Sequence, residues 1–149
     1  MTAVRASEPG VGSASHPRRA WLEASAQPEF VSIRAGNPPE GAPKEARSYL
    51  GDGRLVAWRP PQWPDVACAI DAELVNNPVP QALHRRFPVL DRETFWRRWT
   101  RLEVCCKVTD TPLLTWLAGR GLDTADAPVL MTTEVMGDIV LTFGVARDG

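Results

Sequence analysis

Val66-Ala67-Cys68-Ala69-Ile70-Asp71-Ala72-Glu73 and Phe95-Trp96-Arg97-Arg98-Trp99-Thr100-Arg101-Leu102-Glu103-Val104-Cys105-Cys106-Lys107 bound the stretch, residues 66–107, on which the reading of this chain turns. The first segment is apolar up to Ile70, as a buried strand requires, and would deliver Asp71 and Glu73 to its solvent-side end. On a strand, residues two apart share a face, so both carboxylates point one way and Ala72 the other. The second segment reads as a long helix. Asp91 can accept its orphan backbone N–H groups as N-cap. Phe95, Trp99, Leu102 and Cys106 recur at intervals of three and four, as a buried helical face requires. Trp99, Glu103 and Lys107 are four apart and stack along the helix.

Two close carboxylates repel unless a cation or proton lies between them. A hard cation such as Mg²⁺ takes a few protein carboxylates and fills its remaining positions with water and phosphate oxygens. Asp71 and Glu73 with Glu103 as third ligand or base, and Lys107 as a point charge for phosphate, would make such a site. The same residues also fit two solvated acids at a strand end and a helical Glu103–Lys107 ion pair worth about 0.3–0.5 kcal/mol.

Working outward, residues 76–80 carry Asn76, Asn77, Pro78 and Pro80 and end the strand, and residues 81–87 suit a short helix stopped by Pro88. Asp110 and Pro112 stop the long helix. A further helix follows over residues 112–118, closed by Gly119 and Gly121. Residues 129–133 and 139–145 are β-branched and apolar, with Met136-Gly137-Asp138 as the turn between two strands. Toward the N-terminus, residues 55–58 form a strand, and with 66–70 suggest a hairpin with a Pro-rich connection. Residues 35–53, with their prolines and glycines, read as linker. Residues 30–33 suit a short strand, Ala20-Trp21-Leu22 fits strand or helix, and residues 1–15 read as a loose end. Strands, helices and strands in that order argue an α+β fold, an antiparallel sheet packed against a long helix.

At 149 residues, 44% hydrophobic and 23% charged, the composition is that of an ordinary globular domain. A net charge of −1 gives no support to a nucleic-acid partner. Arg85, Arg86, Arg92, Arg97, Arg98, Arg101 and Lys107 nonetheless crowd one segment, which suits an acidic partner, a phosphate-rich ligand or a solvated helix face. Three cysteines, two of them adjacent, imply no disulfide framework, and no Cys/His spacing resembles a zinc site. No apolar run approaches the roughly 20 residues of a spanning helix. A cytoplasmic protein without membrane association is expected.

Ile70-Asp71-Ala72-Glu73, then Arg86-Phe87-Pro88, Phe95 and the run from Trp99 to Lys107 together resemble the 4′-phosphopantetheinyl transferases. That family shows a G-(V/I)-D-(I/V)-E strand and a downstream W-(T/S)-x-K-E-A-x-x-K helix. Ala69 replaces the glycine, Leu102 the first lysine and Val104 the alanine, so the resemblance is to a divergent member. It implies metal ligands at Asp71, Glu73 and Glu103, a base at Glu103 and a phosphate contact at Lys107. The cofactor would be Mg²⁺, the co-substrate coenzyme A and the partner an acyl or peptidyl carrier protein. The arginines 85, 86, 97, 98 and 101 would steer that acidic partner.

The family's S-H-S turn, whose histidine binds the nucleotide 3′-phosphate, is similar to Ser13-Ala14-Ser15-His16, which makes His16 a cofactor-binding candidate far upstream. Aligning Ser48-Tyr49 there instead leaves no histidine. The resemblance covers about residues 54–146, within a transferase-like domain at 54–149 that follows a poorly matching part at 1–53. A homo-oligomer, or an abbreviated N-terminal wall, would complete the coenzyme A cleft; otherwise the site is incomplete. The alternatives to an active transferase are a weak or silent homologue that binds a carrier protein or coenzyme A, and, more distantly, a Mg²⁺-dependent phosphate hydrolase.

Overall fold

The computed structural model describes residues 17–38, 40, 41 and 44–147. The chain is mixed α and β, and the described residues form two antiparallel three-stranded sheets and one long helix. The first sheet holds β1 (Val31–Ala35), β2 (Ala46–Tyr49) and β3 (Arg54–Trp58) in the order β1-β3-β2. The second holds β4 (Cys68–Leu74), β5 (Val129–Met136) and β6 (Ile139–Ala146) in the order β4-β6-β5. Helix α1 (Pro17–Ser25) precedes the first sheet. Helices α2 (Gln81–Arg86), α3 (Arg92–Thr109) and α4 (Leu113–Arg120) connect β4 to β5. No helix is long and apolar enough to cross a membrane among the described residues.

The second sheet is the middle layer, because its two faces bury different sets of side chains. Val140 of β6 with Val129 and Met131 of β5 face α3 and α4 in one core. Ile70 and Ala72 of β4 with Leu141, Phe143 and Val145 of β6 face the first sheet and α1 in the other. A sheet covered on both sides needs apolar residues at successive positions, which is why residues 139–145 show no polar alternation. Trp58 bridges the layers. Its ring meets Phe143 edge-on at 5.1 Å and its indole N–H donates to Ser25 O at 2.9 Å.

Helix α3 rests directly on β6. A Cβ at Gly144 would come within 2.2 Å of Val104 Cγ1, so the glycine permits the close approach of helix to sheet. Asp91 caps α3 as expected, accepting from Thr94 N at 2.8 Å, and Asp110 closes it in the left-handed region at φ 52°. The buried face is wider than the spacing implied. Phe95, Leu102 and Cys106 are buried, but so are Trp96, Thr100, Val104 and Cys105, while Trp99 is half-buried and stacks on Phe95. The helix packs on the sheet along one side and on α4 and the α2 segment along another, so a single stripe could not describe it.

The structure corrects three expectations. Residues 55–58 and 66–70 do not form a hairpin: β3 pairs with β1 and β2, while β4 pairs with β6 over seven positions. Strand β3 is buried from Leu55 to Trp58 and takes β1 and β2 on its two edges, which leaves none for β4, and β4 finds a longer ladder in β6. The stretch 35–53 includes a strand, β2, whose four residues Ala-Arg-Ser-Tyr carry no apolar signal. Asp71 lies in mid-strand and is 7% exposed, because β4 runs on to Leu74. Ala20-Trp21-Leu22 resolves as helix, with Leu22 fully buried. Strand β3, the centre of the first sheet, begins at Arg54.

Candidate functional site

The sheet order leaves β4 with one edge that β6 does not occupy. Buried backbone groups on such an edge need partners. Two side chains supply them, one from each flanking layer. Ser48 Oγ of β2 accepts from Ala72 N at 3.0 Å, and Lys107 Nζ of α3 donates to Ile70 O at 2.9 Å. The same two side chains hold the carboxylate between them. Lys107 Nζ donates to Asp71 Oδ1 at 3.1 Å, and Ser48 Oγ donates to the same oxygen at 3.3 Å. The other oxygen, Asp71 Oδ2, is buried and has no partner.

Charge at this junction is out of balance. Burial pushes the Asp71 carboxyl up to about 6; Lys107 opposes that rise and Glu103 adds to it. Burial, with Asp71 and Glu103 adding, pushes Glu73 up to about 7 against Lys107. Glu103 is also raised by burial, with Lys107 opposing. Three carboxyl groups therefore share the field of one ammonium group. Carboxyls raised by desolvation and by one another gain most from an added cation or a proton.

The expected alternation on β4 holds: Ile70 and Ala72 enter the core toward the first sheet, while Asp71 lies against Lys107 of α3. The structure brings Asp71 and Lys107 into contact and leaves Glu73 and Glu103 in their electrostatic field. Among the described residues, no three His, Cys, Asp or Glu side chains converge closely enough to hold one ion. The donor chemistry nevertheless suits a hard cation, since a buried carboxylate oxygen lacks a partner and the neighbouring acids outnumber the positive groups. His16 lies outside the described residues.

Sequence reasoning missed Ser48 as a partner of Asp71, because a serine in a Pro/Gly-rich stretch reads as loop. It also missed a polar row beneath α3. Asp71 pairs across the sheet with Thr142, and Thr142 with Thr133. Thr142 Oγ1 lies 2.8 Å from both Thr100 Oγ1 and Thr133 Oγ1, and Arg101 Nη1 donates to Thr133 Oγ1 at 3.2 Å. The available signal was Thr142 itself, a lone hydroxyl in the apolar run 139–145.

The arginines of the basic segment divide. Arg86 donates to Leu117 O, Arg92 to Asn76 O at 3.2 Å, and Arg97 pairs with Glu93 at 3.0 Å, so these three hold the fold locally. Arg85 and Arg98 are exposed. The three cysteines are free thiols. Burial pushes Cys68 up to about 11 and Cys105 up to about 12, and raises Cys106, so none is an activated nucleophile at neutral pH.

Comparison of the chain with protein-family models, with curated proteins and with solved structures gives no match.

Proposed function

We propose that this chain transfers the 4′-phosphopantetheine group from coenzyme A to a serine of an acyl or peptidyl carrier protein, on a 4′-phosphopantetheinyl-transferase-like fold. The observation that carries the reading is the Lys107–Asp71 contact. It joins the strand half and the helix half of the motif across 36 positions of sequence, at a carboxylate with one oxygen left over. A solvated strand end and an isolated helical ion pair would have no reason to meet. A cytoplasmic location goes with this reading.

Asp71, Glu73 and Glu103 would hold Mg²⁺ once their side chains draw closer together, and the ion when bound offsets the charge that develops on the phosphate oxygens. Glu103 accepts the proton of the incoming serine hydroxyl. The serine Oγ then forms a bond to the β-phosphorus of coenzyme A. The bond from that phosphorus to the bridging oxygen breaks, and 3′,5′-ADP leaves with the electron pair. Lys107, more than a third exposed, can turn from Asp71 toward the pyrophosphate and neutralise it as a point charge. Phosphoryl transfer asks a protein for positioning and charge more than for covalent help. Ser48 supplies positioning, since its hydroxyl ties Asp71 and the backbone of β4 to the first sheet.

The test is incubation of the purified chain with MgCl₂, coenzyme A and apo carrier proteins, read by intact mass. A gain of one phosphopantetheine group supports the proposal; no gain with several carriers overturns it. A second reading, a homologue that binds coenzyme A or a carrier protein without transfer, draws on the ammonium group already seated on Asp71 and on the absence of three convergent ligands among the described residues. Calorimetric binding of coenzyme A with no mass gain would select it.

A further inference from the structure

The first sheet presents a second charged cluster that the transferase chemistry does not use. Register places Arg34, Leu55 and Tyr49 in one row across the sheet and Ser32, Ala57 and Arg47 in the next, all on the face opposite Trp58 and Val56. Leu55 and Ala57 are at most 1% exposed, yet neither belongs to the two apolar cores. Charged side chains lie over this face. Arg34, Arg47 and Arg59 all converge on the carboxylate of Glu45. Arg34 Nη2 and Arg47 Nε meet its Oε1, the latter at 3.0 Å, and Arg59 Nη2 meets its Oε2 at 3.1 Å.

Three guanidinium groups on one carboxylate leave positive charge over. Burial raises the Glu45 carboxyl, but Arg47, Arg59 and Arg34 outweigh it and hold the group below its ordinary range. Each guanidinium spends one nitrogen on Glu45, and each has others to give. Arg34 Nε is buried and has no acceptor at all. Beside Arg34 and Arg59 opens a cavity of about 380 Å³, lined also by Glu29, Phe30, Val31 and Ser32. Even with Glu29 counted against them, the three arginines exceed the two glutamates by one charge.

We propose that this cavity binds a small phosphate-bearing molecule, its oxyanion held between Arg34 and Arg59 with Arg47 adding to the field. A planar guanidinium fork matches tetrahedral and carboxylate oxyanions in a two-point geometry. Arg34 Nε supplies a donor that already lacks a partner. Phe30 and Val31 give an apolar wall for whatever the phosphate is attached to, and Ser32 a hydroxyl. Glu45 acts as the built-in competitor, keeping the guanidinium groups assembled when no ligand is present. The site shares no residue with the Asp71 junction, so it stands or falls independently of the transferase reading.

The experiment is titration of the intact chain with inorganic phosphate and with pyrophosphate at low ionic strength, following the Arg Nε–Hε signals by NMR. A saturable shift of the Arg34 signal is expected, with pyrophosphate binding at least as tightly as phosphate. Arg34→Gln and Arg59→Gln should each weaken binding by about tenfold, the loss of one charge-assisted hydrogen bond. Glu45→Gln should tighten it by removing the competitor. An Arg34 signal in the unmodified chain that does not move, or binding in both arginine variants as tight as in the unmodified chain, overturns the site. A phosphoserine peptide that binds far more tightly than pyrophosphate overturns the small-molecule assignment.

Discussion

On the outer face of the first sheet one carboxylate, Glu45, is shared by three guanidinium groups; at the edge of the second sheet three carboxyl groups share one ammonium, Lys107. Their chemistry runs in opposite directions. Glu45 is held below its ordinary pKa by the surrounding arginines, whereas Asp71 and Glu73 are pushed above theirs by burial and mutual repulsion. A net charge of −1 conceals both clusters, because their surpluses cancel in the sum. Segregated by sheet, each surplus is a place where a ligand of the other sign gains most: an oxyanion on one face, a cation at the other edge.

The largest effect expected is on chemistry at the acidic cluster. Glu103→Gln should cut the rate of phosphopantetheine transfer by about 10²–10⁴-fold, the range for loss of a general base, measured by mass gain of the carrier protein against time. Retention of full rate would leave Glu103 a structural acid. Next comes the single cation among the acids. Lys107→Met strips Ile70 O of its donor and Asp71 Oδ1 of its charged one, leaving only Ser48, and should cost about 2–4 kcal/mol, discounted from a fully buried pair because the lysine is partly exposed. Urea denaturation measures this, and an unchanged midpoint would show that the acids need no compensating charge.

Ser48→Ala tests how the two sheets are joined. It leaves the buried Ala72 N–H without an acceptor and should cost about 1–3 kcal/mol in the same measurement. A smaller effect, and the one that separates the clusters most directly, is pH dependence. Glu73 has a raised pKa in the folded chain, so the fold binds its proton more tightly than the unfolded chain does. Its contribution is full below about 4.5 and is lost as pH rises through about 7. Glu45 has a lowered pKa, so its contribution is present above 4.5 and is lost on acidification. Thermal melts should therefore show Glu73→Gln removing a decline toward neutral pH and Glu45→Gln removing a decline toward acid. Slopes of the same sign in both variants would end the comparison. The smallest effect is expected at Glu93→Ala, which breaks an exposed i,i+4 pair with Arg97 and should cost only about 0.3–0.5 kcal/mol.

Much of the acidic cluster was legible before any coordinates. The D-x-E alternation on a strand and the four-residue spacing of Glu103 and Lys107 are local geometry, and both fall where that geometry requires. The cap at Asp91 and the stop at Asp110 were readable for the same reason. The arginine cluster was not legible at all. Glu45 and Arg47 stand in a stretch whose prolines and glycines read as linker, while Arg34 lies on β1 and Arg59 just past the end of β3. Nothing in their spacing says that one carboxylate will collect all three guanidinium groups, because that follows from the register of β1 and β2 on β3.

The pairing of β3 shows the limit most plainly. Leu55-Val56-Ala57-Trp58 announces a buried strand, and the nearest apolar run downstream suggests a hairpin, yet β3 takes partners from both sides of the first sheet and β4 goes to β6. Composition and periodicity act over a few residues, so they could specify the helices, the strands, their caps and which side chains share a face. Pairing, layering and the meeting of Ser48, Asp71 and Lys107 depend on contacts 23 and 36 residues apart. Those are decided by which arrangement buries both faces of the second sheet and leaves the fewest backbone groups without partners, a property of the whole chain and of no segment within it.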